Sequence, residues 1–331
     1  MHARIALTCF VGLPAMCAGA QTYDLQLLGT RGNVEAIGRT GDVALTIPYG
    51  NGCEYEEAGV YRDGQVEFLA CDAYASGVNA GGDVVGGSRE RGKLWTRSGS
   101  EVDVPAPQPN HATSVLAIND AGMVVGTYSK PHRVRRCFAW TQQGGSFDLG
   151  LPEGATSCAA EAINNRAWIS GYVSFPDGPN WFGFIWKNGH FHVLPMLEGM
   201  QFCQAMAVNR PGDAVGACYT YGALVVHPVL WRDDKVIDLY PAAGNVEGYA
   251  YGINDAGVIV GTLTAADWHG GKAVIYGDTG PVDLAKQVRN IGDYTFNRVL
   301  GIDKSGEIAA NVYSPTLGSS AVKVIPVGKS E

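Results

Sequence analysis

The chain has 331 residues, 45 of them glycine and 16 proline, and its 24 basic side chains are outnumbered by 32 acidic ones for a net charge of −8. Acidity of this size argues against a nucleic-acid partner, because duplex binding relies on a basic face that neutralises phosphates. Beyond the first 20 residues, no stretch approaches the roughly 20 consecutive apolar residues of a membrane-spanning helix.

Residues 1–20 carry one firm charge, Arg4, then an apolar run from Ile5 to Ala18 and the small-residue pattern Ala18-Gly19-Ala20. This reads as a secretory signal cleaved after Ala20, which predicts a periplasmic or extracellular protein. No low-complexity linker or charge run divides residues 21–331, so they are expected to form a single domain. Cleavage would remove Cys9 and Cys17 and leave six cysteines, which an oxidising compartment lets pair.

Tyr23 to Gly29 reads as a lone β-strand. After it, one frame recurs seven times: an aliphatic residue, a four-residue turn usually ending in Gly, then a β-prone pair. Its anchors are Ile37, Val78, Ile118, Ile163, Val208, Ile253 and Ile302, spaced 41, 40, 45, 45, 45 and 49 residues apart. A fixed period in the forties marks a repeat architecture. In the third repeat, Ser114 to Ile118 is strand a, Asn119 to Gly122 a turn, and Met123 to Tyr128 strand b. Cys137 to Thr141 then forms strand c and Ser146 to Gly150 strand d. The Asn side chain serves the turn, and Gly122 takes a left-handed conformation that costs other residues about 1 kcal/mol. Each repeat is therefore a four-stranded meander. The aromatics that recur once per repeat, Tyr61, Trp95, Trp140, Trp186, Trp231 and Tyr276, are expected to fill space between neighbouring meanders.

These residues resemble the HAF extracellular repeat family, whose consensus joins A-x-x-I-N-x-x-G-x-V-V-G to H-A-F-x-W and a closing D-L-G. The resemblance spans about 300 residues, with Gly38 and Asp303 in place of the Asn and Ala167 in place of the turn Gly. It implies a secreted, propeller-like protein and no particular activity.

Repeat seven ends after three strands, and Tyr23 to Gly29 is a fourth strand without an owner. If that strand completes repeat seven, the fold is an all-β, seven-bladed β-propeller of four-stranded antiparallel blades, closed by the N-terminal strand. An open β-solenoid is the competing architecture. In the propeller, all six remaining cysteines lie on the face carrying the b–c and d–a connections. The predicted pairs are Cys53 with Cys71, Cys137 with Cys158 and Cys203 with Cys218, each worth roughly 3 kcal/mol in the chain-entropy model. No C-x-x-C spacing supports a metal site instead.

Catalytic signatures such as G-x-S-x-G, H-E-x-x-H or a phosphate-cradling loop do not occur. His190 and His192 share one side of a strand, but no third ligand accompanies them, so no metal or other cofactor is predicted. Differences between repeats therefore carry the functional expectation. The b–c loops of repeats two and three hold a basic set, Arg89, Arg91, Lys93, Lys130, His132, Arg133, Arg135 and Arg136. Those of repeats four to six hold Phe175, Trp181, Tyr219, Tyr221, Trp268 and His269. Both sets fall on the cysteine-bearing face, and the expected function is a binding module for a glycan or protein at the cell envelope. The alternatives are a hydrolase or lyase with its site at the central opening, built from d–a loops holding Tyr74, His111, Glu153 and Tyr249, and a ligand-free structural protein.

Overall fold

A computed structural model describes residues 21–48, 52–88, 91–129, 134–176, 180–222, 226–241, 246–265 and 271–328. Among them the chain is all-β but for one 3-10 turn, Leu284–Gln287. Strands follow the repeat. The a strands are Asn33–Ile37, Tyr74–Val78, Ala112–Ile118, Ser157–Ile163, Phe202–Val208, Val246–Ile253 and Thr295–Ile302, and each opens an antiparallel meander. Unit three, for example, continues through b, c and d at Val124–Ser129, Arg135–Thr141 and Gly145–Asp148. Units one, two and three are separate four-stranded sheets, whereas single parallel bridges, Trp181 to Phe202 and Val226 to Glu247, link units four, five and six. Tyr23–Leu27 pairs antiparallel with Gly318–Pro326, so the N-terminal strand supplies the fourth strand of the last sheet.

Strand a of each unit touches strand a of the next, and strand a of unit seven touches that of unit one. Apolar side chains collect between successive units rather than within them. Leu28, Ala309 and Ala321 pack on Val34, Val43 and Leu45 between units seven and one. The recurring aromatics lie in these seams: Tyr61, Trp95, Trp140, Trp231 and Tyr276 are buried and Trp186 is nearly so. Polar ties also cross from unit seven to unit one, where buried Asn311 accepts from Val34 N–H at 3.2 Å and donates to Gly32 C=O at 3.2 Å. Disulfides join Cys53 to Cys71, Cys137 to Cys158 and Cys203 to Cys218, with Cα atoms 5.3, 5.5 and 4.2 Å apart.

The a–b turns follow their chemistry and add a contact that spacing alone did not suggest. Asn119 Oδ1 accepts from the N–H groups of Ala121 (3.1 Å) and Met123 (2.9 Å), and Gly122 has φ +75°. The Nδ2 group then reaches the next unit. Asn79, Asn119, Asn164, Asn209 and Asn254 donate to the carbonyls of Asn119, Asn164, Asn209, Asn254 and Asp303, at 3.4, 3.2, 2.8, 3.2 and 3.2 Å. One residue therefore caps its own turn and ties its unit to the neighbour.

Every a strand also carries a register shift opposite strand b. It passes over Glu35, Ser76, Leu116, Glu161, Met206 and Tyr251 in units one to six, and over Leu300 in unit seven. The bulge presses the a strand onto strand b: a Cβ at Gly126, Gly171, Gly216 or Gly261 would lie 1.8–2.0 Å from a strand-a carbonyl oxygen. Glycine at these four strand-b positions is thus required by close approach. The bulged residue is left free to vary.

Candidate functional site

Two regions deserve a chemical reading: the a–b turn end of the a strands, and their opposite end, where the b–c and d–a connections and the disulfides lie. At the turn end, residues from all seven units line a recess of about 210 Å³. Arg39, which follows the Gly38 that replaces the turn Asn, spans it, with Nη1 2.6 Å from Asp255 and Nε 3.5 Å from Asp120. Its guanidinium is satisfied by carboxylates of units three and six.

At the disulfide-bearing end the side chains form an aromatic arc. Trp181 begins strand c of unit four, Phe202 begins strand a of unit five and Tyr219 ends strand b of unit five, so the register brings all three to one level. The Trp181 ring stacks on Tyr172 at 4.7 Å and meets Phe202 and Tyr219 edge-on at 5.2 and 6.5 Å. Phe202 stacks on Tyr219 at 5.1 Å, beside the disulfide between Cys203 and Cys218. Gln204 Nε2 donates to Tyr219 Oη at 3.3 Å. In unit six Tyr249 and Tyr251 stack at 5.5 Å, and the Arg298 guanidinium of unit seven lies 4.7 Å over the Tyr251 ring. At the other flank Arg135 of unit three donates to Tyr172 Oη at 3.4 Å. The polar wall continues through units two and three, where Tyr74 Oη and Ser114 Oγ lie 3.4 Å apart.

Two carboxyls from the bulged positions share this region. Burial pushes Glu35 up to about 7, against the opposing effects of a hydrogen bond to Thr46 and the charge of Arg298, with Glu56 adding to the rise. Burial likewise raises Glu161, opposed by Arg135. The phenols follow: burial, then Tyr251 and Glu247, pushes Tyr249 up to about 12, so it is a hydrogen-bond donor at neutral pH. Rings, hydroxyls, an amide, arginines and carboxyls raised by burial are a set suited to binding.

The residues expected from sequence are distributed unevenly over this geometry. Trp181 and Tyr219 come together in the arc. Tyr221 does not join them; it is 83% exposed, and its N–H donates to Gln201 Oε1 at 3.2 Å. Arg89, Lys130, His132, Arg133, Trp268 and His269 lie outside the described residues. Three of the described bases have acidic partners on strand d of their own unit. Lys93 lies 2.8 Å from Asp103 and 2.5 Å from Glu101, Arg91 lies 3.6 Å from Asp103, and Arg136 lies 3.1 Å from Asp148. Only Arg135 of the described basic set reaches the arc. Of the residues named for an enzyme, Tyr249 is in the arc and Tyr74 on the adjoining wall. Glu153 is exposed, and His111 lies in a separate recess of about 320 Å³ with Arg91 and Asp103. His190 and His192 occupy an outer strand, His190–Val193, and are exposed.

Sequence reasoning missed Tyr172, Phe202, Tyr251, Arg298, Glu35 and Glu161. The usable signal was the residue three before each turn Asn or its replacement. It changes from Glu to Ser, Leu, Glu, Met, Tyr and Leu inside a frame that otherwise recurs.

No protein-family profile matches the sequence, and no curated protein does. Solved structures do match. Virginiamycin B lyase from Staphylococcus aureus is 12% identical over 92% of this chain and 99% of its own, with a TM-score of 0.57. YCF48 bound to D1 peptide is 11% identical over 97% of this chain and 99% of its own, with a TM-score of 0.52. Acylaminoacyl peptidase from Pyrococcus horikoshii is 12% identical over 90% of this chain, with a TM-score of 0.56, and this chain spans 52% of that protein's length. These are β-propeller proteins, and at such identity the likeness shows the fold alone.

Proposed function

We propose that the chain is an exported, closed seven-bladed β-propeller of the HAF repeat type that binds a glycan at the cell envelope. Its ligand site is the mouth of the a-strand ring on the disulfide-bearing face. Several observations support closure: the unbroken succession of a-strand contacts, the apolar and Asn311 ties between units seven and one, and the N-terminal strand paired into the last sheet. Three disulfides among the described residues support export to an oxidising compartment.

The observation that carries the binding reading is the arc from Tyr172 through Trp181, Phe202 and Tyr219 to Tyr249 and Tyr251. Aromatic rings offer flat apolar area at low entropic cost, and the phenols, Gln204 and Ser114 offer hydrogen bonds at the same level. Sugar rings present both an apolar C–H face and hydroxyls, which matches this mixture better than an extended peptide that needs a free sheet edge. Screening the protein against envelope polysaccharides should give a ligand that Trp181→Ala binds at least tenfold more weakly. Retention of full affinity by Trp181→Ala would reject the site. A second reading, a hydrolase or lyase, is favoured by Glu35 alone, a carboxyl near 7 within the influence of the Arg298 charge. Product release from the bound polysaccharide, abolished by Glu35→Gln, would establish it.

A further inference from the structure

Among the described residues, nine arginines and lysines are held in ion pairs. Arg39, Arg62, Arg91, Lys93, Arg97, Arg136, Arg232, Arg289 and Lys323 each pair with a carboxylate. The two that flank the aromatic arc do not. Arg298 is exposed on strand a of unit seven, lies over the Tyr251 ring and makes no ion pair among the described residues, and Arg135 contacts only a phenol there.

We infer that the mouth takes an acidic oligosaccharide, a chain bearing sugar carboxylates. In it Arg298, seated over Tyr251, holds one carboxylate while Trp181 and Tyr249 carry the neighbouring sugar rings. This inference rests on the glycan-binding reading above. A guanidinium matches a carboxylate through two parallel hydrogen bonds, which a neutral sugar cannot supply. The contact with Tyr251, over its ring and to its hydroxyl, holds the guanidinium in place, so little side-chain freedom is lost on binding. The mouth also contains Glu35 and Glu161, which would repel an anion if ionised. Burial raises both carboxyls, which lessens that repulsion.

The test is calorimetric titration of the protein with hexameric polyuronate oligosaccharides and with the same hexamers after carboxyl reduction, for wild type, Arg298→Gln and Trp181→Ala. A polyuronate should bind at least tenfold more tightly than its reduced form. Arg298→Gln should erase that difference without changing the melting profile, and Trp181→Ala should weaken both forms. Equal affinity for acidic and reduced hexamers overturns the inference. If Trp181→Ala still weakens binding in that case, the glycan-binding reading survives. Tighter binding of poly-L-glutamate than of any polyuronate overturns both. The wild-type comparison of the two hexamers decides the matter even if Arg298→Gln fails to fold.

Discussion

Ala167 occupies the turn position that Gly122 holds in unit three, and it adopts φ 57°, the left-handed region that disfavours a Cβ. The sequence marks this residue as a departure from the frame, and the backbone keeps the turn at the expense of strain. Ala167→Gly should therefore stabilise the protein by about 1 kcal/mol in urea unfolding, and Gly122→Val should destabilise it by about 1 kcal/mol or more. A neutral effect of Ala167→Gly would mean that the turn relaxes around the Cβ. Glu35 gives a second expectation. Its carboxyl is raised from 4.5 to about 7 in the folded state, so the native protein holds this proton more tightly than the unfolded chain. The associated stability is fully present below about pH 4.5 and is lost as pH rises through about 7. Glu35→Gln should leave stability unchanged at pH 4 and raise it by about 2 kcal/mol at pH 8. A gain of equal size at both pH values would exclude the ionisation as its cause.

At the scale of elements, the a–b hairpin was legible because Asn, Gly and the flanking aliphatics recur with little change. The link from each Asn to the next unit was not, because it depends on where two hairpins meet in space. Asn164 makes the distinction measurable. Its Oδ1 caps Arg166 and Trp168 N–H at 2.8 and 3.0 Å, while Nδ2 ties it to Asn209 C=O at 2.8 Å. Asn164→Ala should cost about 2 kcal/mol through the loss of three hydrogen bonds at a buried site. The adjacent Asn165, exposed and bonded to Asp120, should cost well under about 1 kcal/mol when changed to Ala. Urea unfolding of the two variants checks this, and equal losses would refute the structural role of the buried residue. The pairing of the basic set was partly legible too. Lys93 and Asp103 face each other across the c–d hairpin, a register that follows from the short turn. The bulge was hidden, since one extra residue breaks the period of two on which strand reading depends.

At the scale of the molecule, repetition specifies the scaffold and irregularity specifies the site. The arc draws one or two residues from each of four units: Tyr172 and Trp181, then Phe202 and Tyr219, then Tyr249 and Tyr251, then Arg298. No local motif announces such a set, because its members are separated by whole repeats and brought together only when the units stand side by side. The expectation that the disulfide-bearing face holds the function reduces to a question of which end of the a strands a ligand covers. At the opposing end Arg39 is paired with Asp120 and Asp255, so these groups offer a ligand no unpaired charge. Hydrogen-exchange footprinting with the polysaccharide selected by screening answers this directly. Slowed exchange should fall on the starts of Trp181–Lys187, Phe202–Val208 and Val246–Ile253 and the end of Ala214–Tyr219, with the a–b turns at Asn119, Asn164, Asn209 and Asn254 unchanged. Protection confined to those turns would contradict the account.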